Sequence, residues 1–293
     1  MPRYDAADGT YLHFDELSFD ELSPRSPGSD SAPLIVLAGG AARHPSYLGD
    51  LAGLSDEHAL VVPHLRGVGH SPAPTALPSG SYWHQADDIE RLRQHLGLES
   101  LTVIAHSAGT RLALAYAVRF PQRLARLVLI TPPALHLVGT ASDIEALAAR
   151  RNGDAVFNDA FALLSAGPPT DNEGAFTDWM QRTAPASYAR WGAAERTHSM
   201  LGRWDLPAAK AYFTVDPPVG FVQQLAGVST PVLVVAGAED CLTGFAPVLA
   251  LARLFSAGEV SVIDGAGHYP WVEQPRQFRR AVDGFLERES SLS

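Results

Sequence analysis

The residues Ala105-His106-Ser107-Ala108-Gly109 separate two very different kinds of sequence. The apolar run at 101–104 predicts a buried strand before them, and residues 110–118, rich in helix formers, predict a helix after them. A serine flanked by small residues at a strand-to-helix junction is typical of a nucleophile elbow, which exposes the hydroxyl and places free N–H groups at a helix N-terminus. The usual pattern is G-x-S-x-G, and Ala105 replaces its first glycine. A serine that merely caps a helix is the competing interpretation.

Length and composition narrow the class of protein. A chain of 293 residues can form one α/β domain with an insertion or two domains, and its net charge of −10 is spread out, which argues against nucleic acid as a partner. The single cysteine, Cys241, excludes an internal disulfide and a cysteine cluster, and we predict neither a metal nor a cofactor. The N-terminus does not resemble a signal peptide and no apolar run could span a bilayer, so we expect a cytoplasmic protein without a membrane partner.

Strand-like and helix-like segments alternate along most of the chain. Short apolar runs separated by helical patterns predict a mostly parallel sheet with helices on both faces, which is the α/β class. Residues 11–14 and 16–19 are predicted to form an opening antiparallel pair, and residues 81–96 a helix. A last helix is predicted to begin at Gln274-Pro275. The further predicted strands are residues 34–37, 59–62, 127–130, 232–235 and 260–263.

The alternation stops between Pro133 and about Val228. Residues 142–151 and 154–164 predict short helices, and three of the five tryptophans lie in this part of the chain. We expect a helical cap over residues 134–228, inserted into a core made of residues 1–133 and 229–293. Aromatic residues above the carboxyl ends of a parallel sheet would form the roof of an apolar pocket, although packing within the insertion explains most of them individually.

Two further residues can complete the chemistry of a serine nucleophile. A serine hydroxyl needs a base that takes its proton, and that base needs a carboxylate that orients it. His268 lies in a glycine-rich loop directly after a predicted strand, and Asp240 directly follows another. Each residue alone has an ordinary explanation, as a loop histidine or a helix cap. Ser107, Asp240 and His268 together have the order of the α/β-hydrolase triad, each at a strand end, and therefore predict a triad.

The motifs around these residues resemble the α/β-hydrolase superfamily, and in particular its proline-iminopeptidase branch with a helical cap. Residues 37–42 (Leu-Ala-Gly-Gly-Ala-Ala) are similar to the His-Gly-Gly-Pro-Gly loop of that branch. Residues 61–71 resemble its Asp-x-Arg-Gly-x-Gly-x-Ser turn, and residues 265–268 with 273–275 resemble its histidine loop and the helix that follows. The resemblance covers most of residues 1–288.

The resemblance implies a role for each part of the site. Ser107 is the implied nucleophile, His268 its base and Asp240 the carboxylate that orients the base. The oxyanion hole is implied to consist of backbone N–H groups, supplied by Ala108 and by Gly39 or Gly40. We expect the substrate pocket to be lined by His106, Trp191, Tyr212, Phe213 and Tyr269.

The cap departs from that of the proline iminopeptidases. Their tryptophan at the position of Trp191 is followed by a glutamate that binds the free amine of the substrate, whereas Gly192 stands here. A second such glutamate is expected within residues 208–211, which read Ala-Ala-Lys-Ala. Glu195 or Asp205 could substitute, but an ammonium group left unpaired in a closed pocket is costly. Aminopeptidase activity is therefore less favoured than the overall resemblance suggests.

We expect a serine hydrolase that forms an acyl-enzyme from an ester, thioester or amide of a small, fairly apolar substrate. A proline iminopeptidase is the first alternative. An enzyme that cleaves a carbon–carbon bond or performs other non-hydrolytic chemistry, and a ligand-binding protein, are the remaining alternatives on the same fold. The sequence carries no signal for an oligomeric state.

Overall fold

The structure is a computed structural model that describes residues 1–18, 32–74 and 77–288. Its centre is an eight-stranded sheet of order β1-β2-β4-β3-β5-β6-β7-β8. The strands β3 to β8 pair in parallel, and β1 and β2 form an antiparallel edge. This confirms the predicted mostly parallel sheet. The strands are β1 (Arg3–Asp5), β2 (Tyr11–Leu17), β3 (Leu34–Leu37), β4 (Leu60–Pro63), β5 (Leu101–His106), β6 (Leu124–Ile130), β7 (Val232–Gly237) and β8 (Gly258–Ile263).

Helices cover both faces of the sheet, as predicted. Because successive side chains of a strand point to opposite faces, Val103 packs in an apolar cluster on one face of the sheet, while Ile104 packs in a second cluster on the other face. The helix α1 begins at Gln85 rather than at Ser81, and α11 begins at Pro275 as predicted. The α-helices outside residues 131–231 are α1 (Gln85–His95), α2 (Gly109–Arg119), α9 (Ala246–Ala252), α10 (Pro270–Glu273) and α11 (Pro275–Leu286).

Residues 131–231 connect β6 to β7, and all of them are described. They form six α-helices, one short 3-10 helix (Ala184–Ser187) and no strand, and we call residues 131–231 the insertion. Across the described parts of the chain, no helix combines the length and the apolar character that crossing a bilayer requires. The helices of the insertion are α3 (Ile144–Ala149), α4 (Ala155–Ser165), α5 (Glu173–Thr183), α6 (Ala193–Ser199), α7 (Leu206–Tyr212) and α8 (Phe221–Ala226).

Two edges of the sheet differ from the sequence prediction. The predicted opening pair is wrong, because residues 11–17 form the single strand β2, whose partners are β1 and β4. Buried residues alternate with more exposed ones along β2, as expected for an antiparallel strand with one face toward water. Phe19, which the prediction assigned to the pair, lies outside the described residues. At the other edge, Val260 and Val262 of β8 are 40% and 41% exposed, so this apolar strand is not covered on both faces.

Candidate active site

Ser107 lies in the sharp turn between β5 and α2. Its φ of 51° is in the left-handed region, which residues with a Cβ atom rarely adopt. The N–H of Ser107 donates to the carbonyl oxygen of Ile130 over 2.9 Å, which fastens the turn to β6. A Cβ atom on Gly109 would lie 2.4 Å from the carbonyl oxygen of Ala38, so the start of α2 requires glycine beside the glycine loop (residues 38–43). The surroundings thus impose the strained conformation that defines a nucleophile elbow.

Ala105 occupies the position of the missing elbow glycine without disturbing this turn. It belongs to β5 and is fully buried, and its methyl group contributes to the apolar cluster beneath α2. The close approach in this structure is made instead by Gly39, where a Cβ atom would lie 2.8 Å from Cβ of Ser107. The residue that must lack a side chain so that the backbone can approach Ser107 is therefore Gly39 of the glycine loop.

Asp240 and His268 form a buried pair at the ends of β7 and β8. His268 Nδ1 lies 2.9 Å from Asp240 Oδ2, and both residues are 1% exposed. Burial alone would raise the pKa of Asp240, but the charge of His268 and hydrogen bonds from His268 and Thr243 hold that pKa below its ordinary value. Since a carboxylate only accepts hydrogen bonds, His268 Nδ1 carries a proton, and in the neutral ring Nε2 is then the acceptor.

Ser107 and His268 line one cavity of about 390 Å³. The structure records no hydrogen bond between Ser107 Oγ and His268; contacts between a nucleophile and its base often tighten only when substrate binds. Among the described residues of the wall none is an aspartate or a glutamate, and two are arginines, Arg43 and Arg111. Most of the wall is apolar and aromatic, with Tyr47, Phe176, Trp179, Tyr188, Trp204, Phe213 and Tyr269 as its aromatic residues.

The two candidate glycines of the oxyanion hole have different hydrogen bonds. The N–H of Gly39 donates to Tyr47 Oη over 2.6 Å and is therefore already engaged. Gly40 and Ala108 line the cavity, and no acceptor among the described residues is recorded for the N–H of either one. The Gly39 N–H is thus engaged within the protein, whereas the N–H groups of Gly40 and Ala108 remain candidate oxyanion donors.

A chain of hydrogen bonds joins the glycine loop to the histidine loop (residues 264–270). Because Tyr47 Oη accepts from Gly39, its own hydrogen is available to His106 Nδ1 at 2.8 Å, and His106 Nε2 donates to the carbonyl oxygen of His268 at 3.0 Å. Burial, with the nearby charge of His268, lowers the pKa of His106 well below its usual value, so the ring is neutral. His106 lines the cavity as predicted, but both its nitrogens are occupied within the protein.

Two parts of the insertion are tied to these loops. The N–H of His268 donates to the carbonyl oxygen of Ser187 over 2.8 Å. The Glu273 carboxyl group accepts from the N–H groups of Gly267 at 2.8 Å and Ala189 at 2.7 Å, and burial raises its pKa to about 8. The histidine loop and residues 187–189 of the insertion are thereby held together.

Arg43 makes the second connection, between the glycine loop and the segment before α7. Its guanidinium lies between the rings of Tyr47 and Trp204, with its central carbon 4.2 Å and 4.1 Å from their centroids. Arg43 Nη1 donates to Tyr269 Oη at 3.0 Å, and Nε faces the carbonyl oxygens of residues 201 and 202. Arg43 and Trp204 also form an antiparallel backbone bridge. The position of the glycine loop therefore depends on the insertion.

Three of the five predicted pocket residues line the cavity, namely His106, Phe213 and Tyr269. The prediction is wrong for the other two. Trp191 packs against Tyr188, and Tyr212 is buried with its hydroxyl donating to the carbonyl oxygen of Ala108 over 2.9 Å. The sequence reasoning missed the remaining aromatic residues of the wall and both arginines. The density of aromatic residues in the insertion is a signal for Phe176, Trp179, Tyr188 and Trp204, but packing within the insertion explains the same density.

Comparisons with known proteins agree with this fold. A family model described as the alpha/beta hydrolase fold matches residues 32–275. A protein of Caulobacter sp. (strain K31) assigned as carbamate hydrolase RutD is 26% identical over 268 residues, which are 90% of this chain and 94% of that protein. A thermophilic esterase from Thermogutta terrifontis has a TM-score of 0.67 at 22% identity and covers 97% of both chains. An esterase from Exiguobacterium antarcticum has a TM-score of 0.70 at 17% identity, over 98% of this chain and 99% of that one.

The solved structures share less than a quarter of their residues with this chain, so they show the fold alone. The family model covers most of the chain and includes the glycine loop, the elbow, Asp240 and His268. This chain therefore belongs to the alpha/beta hydrolase family.

Proposed function

We propose that the protein is a serine hydrolase that forms an acyl-enzyme from an ester, thioester or amide of a small, fairly apolar substrate. Ser107 acts as the nucleophile, His268 as its base and Asp240 as the carboxylate that orients the base. The observation that carries this proposal is the buried Asp240–His268 hydrogen bond of 2.9 Å, at the wall of the cavity that also holds the strained Ser107 turn.

The proposed reaction has two halves. Ser107 Oγ attacks the carbonyl carbon while its proton passes to His268 Nε2, and the developing oxyanion accepts from the N–H groups of Gly40 and Ala108. The leaving group then departs with the proton from His268. In the second half, water loses a proton to His268 and attacks the acyl-enzyme, which releases the acid and restores the serine. Each oxyanion donor contributes about 3 kcal/mol to the stabilisation of the transition state.

We propose that residues 134–228 act as a cap over a core formed by residues 1–133 and 229–293. The support is that Phe176, Trp179 and Trp204 of the insertion face the same cavity as Ser107. Their apolar surfaces favour a substrate with a neutral, apolar portion. The names of the relatives, a carbamate hydrolase and two esterases, agree with attack on a carbonyl carbon bonded to oxygen or nitrogen.

The same contacts argue against the proline-iminopeptidase branch. Glu195 Oε2 accepts from the backbone N–H of Gly192 over 2.8 Å, and Asp205 Oδ1 accepts from that of Ala208 over 2.8 Å. Both carboxylates therefore cap helices, and neither lines the cavity. Because the described wall holds arginines and no carboxylate, the free amine of an aminopeptidase substrate would have no partner.

The test compares wild-type protein with Ser107→Ala on short p-nitrophenyl esters and on proline p-nitroanilide. We expect the wild type to hydrolyse the esters and to leave the anilide intact, and Ser107→Ala to lose about 10⁴-fold or more in kcat/KM. The control is Ser256→Ala, which alters a hydroxyl that faces Val228 rather than the cavity and should keep the wild-type rate. Equal ester hydrolysis by Ser107→Ala and the wild type would overturn the assignment of the nucleophile.

A further inference from the structure

Arg111 is an arginine of the cavity wall for which the structure records no polar side-chain partner. It lies in the first turn of α2, four residues after Ser107, and is half-buried. Its Nε is buried without a hydrogen-bond partner, and no carboxylate among the described residues forms an ion pair with its guanidinium. A cation that is withdrawn from water without such a partner is costly, because its lost hydration is not replaced.

The surroundings of Arg111 hold it in place without neutralising it. Its guanidinium carbon lies 5.0 Å from the ring centroid of Phe213 and 6.0 Å from that of Tyr82. His136 cannot balance the charge, because burial and the charge of Arg111 lower its pKa to about 4 and the ring is neutral. Burial, and to a smaller extent the charge of Asp216, raise the pKa of Tyr82, yet among the described residues no ion pair joins Asp216 to Arg111.

The other arginine of the wall is different. Arg43 lies between two aromatic rings and donates to Tyr269 and to the carbonyl oxygens of residues 201 and 202. These contacts explain its burial as a structural connection. Arg111 has no comparable set of acceptors, so its position at the cavity is unexplained by the fold alone.

We propose that Arg111 binds a carboxylate group of the substrate, so that the preferred substrates are small acidic esters or amides. This proposal rests on the proposed function, because it places the reacting carbonyl group at Ser107. The guanidinium fork matches a carboxylate in geometry and charge. A carboxylate carries a single charge, which one arginine can balance, whereas a phosphate dianion would leave excess charge against an aromatic wall.

The spacing limits the substrate further. Ser107 precedes α2 and Arg111 lies in its first turn, and both line the same cavity of about 390 Å³. A carboxylate and an ester carbonyl at the two ends of a short aliphatic chain fit this arrangement, with the methylene groups against the aromatic wall. Half-esters of dicarboxylic acids with about six carbons have these features, as do the corresponding half-amides.

The experiment uses two methyl esters with equal acyl chain lengths. Monomethyl adipate carries a terminal carboxylate where methyl hexanoate ends in a methyl group, and hydrolysis of both is followed by proton release. We expect the wild type to favour monomethyl adipate by about 10- to 100-fold in kcat/KM, mainly through KM, as a charge-assisted hydrogen bond predicts. Arg111→Met should lose this preference, so that its kcat/KM for monomethyl adipate falls to about that for methyl hexanoate, because the methionine preserves the apolar volume but not the charge.

Two control variants separate charge from folding. Arg111→Lys keeps the charge but loses the fork, so it should retain part of the preference. Arg119→Met alters an arginine on the same helix that pairs with Asp87, and it should keep the full preference. Arg111→Met should also unfold at or above the wild-type temperature, since it removes a charge without a partner.

The proposal is overturned if the wild type does not prefer the acidic ester, or if Arg111→Met loses activity on both esters equally. Titration of Ser107→Ala with monomethyl adipate tests binding without turnover, and Arg111→Met in that background should weaken it about 10-fold or more. If Ser107→Ala still hydrolyses methyl hexanoate, the proposed nucleophile fails. If that variant is inactive but binds both esters alike, only the role of Arg111 fails.

Discussion

The hydroxyl of Tyr47 joins the glycine loop to the histidine loop, and Tyr47→Phe removes it while preserving the ring. Tyr47 is 1% exposed, and its hydroxyl accepts from Gly39 N–H and donates to His106 Nδ1. The variant leaves one buried donor and one buried acceptor without partners. Each such group costs about 1–3 kcal/mol, so we expect a loss of about 2–6 kcal/mol in the free energy of unfolding. For a chain of this size that corresponds to a decrease in Tm of about 3–10 °C.

The same substitution should slow the reaction. Gly39 precedes Gly40, the proposed oxyanion donor, and its engaged amide fixes the glycine loop. Without Tyr47 Oη the loop is free to move Gly40 out of position, and misplacing one oxyanion donor costs up to about 100-fold in kcat. Because the wall of the cavity is otherwise unchanged, KM should stay near its wild-type value. Thermal and urea unfolding measure the first effect, and the hydrolysis of a p-nitrophenyl ester measures the second.

Tyr116→Phe is the matched control. Tyr116 is fully buried in α2, and its hydroxyl donates to Glu90 Oε2 at 3.0 Å, away from the cavity. Glu90 retains Arg93 and Gln94 as partners, so no buried group is orphaned. Tyr116→Phe should therefore cost about 1 kcal/mol and leave kcat unchanged. The reasoning is refuted if Tyr47→Phe is as stable as Tyr116→Phe, or if it retains the wild-type kcat.

Three further predictions address other parts of the site. Asp240→Asn should lower kcat/KM for ester hydrolysis by about 10⁴-fold at neutral pH, because the imidazole of His268 loses the carboxylate that fixes its tautomer. Burial lowers the pKa of His198 to about 4, below its unfolded value near 6.5. The unfolded chain therefore binds a proton at this histidine before the folded protein does, and the free energy of unfolding decreases as pH falls from about 6.5 to about 4. Between pH 8 and pH 5 this amounts to about 2 kcal/mol, and urea unfolding should show a smaller acid loss for His198→Gln than for the wild type. Arg43→Met should raise amide hydrogen exchange in residues 39–44 and 201–205 and lower kcat. The reason is that the side-chain contacts of Arg43 are lost and the backbone bridge to Trp204 remains. Unchanged exchange would contradict the connecting role of Arg43.

The positions of Ser107, Asp240 and His268 could be predicted because the parallel sheet determines where strand ends meet. The strands β5, β7 and β8 each end at the same edge, and in each case an apolar run in the sequence showed where the strand stops. Order along the chain and position after a strand were therefore sufficient. They were not sufficient to distinguish Gly39 from Gly40, because these glycines differ through a hydrogen bond to the hydroxyl of Tyr47, eight residues after Gly39.

The wall of the cavity could not be predicted in the same way. Trp191 and Trp204 are the same residue type in the same insertion, yet only Trp204 lines the cavity. Its backbone pairs with Arg43 of the glycine loop, a contact between segments that are far apart in sequence. Tyr212 shows the converse, since it lies in a helix of the insertion but its hydroxyl supports the elbow at Ala108. Short helices carry no local signal for the face that will cover the site.

Hydrogen bonding separates the polar groups of the wall that serve the fold from those that can serve a ligand. His106 uses both ring nitrogens within the protein, and Arg43 donates to Tyr269 and to backbone carbonyls. Arg111 Nε and Trp204 Nε1 are buried and have no partner among the described residues. Burying a donor without an acceptor has a cost that folding does not recover, so a substrate that accepts from these groups gains affinity, whereas an apolar one leaves them unpaired. We therefore expect the hydrogen-bond acceptors of a substrate to determine which substrates the cavity prefers. Contact with the aromatic wall should depend mainly on the apolar volume of the substrate.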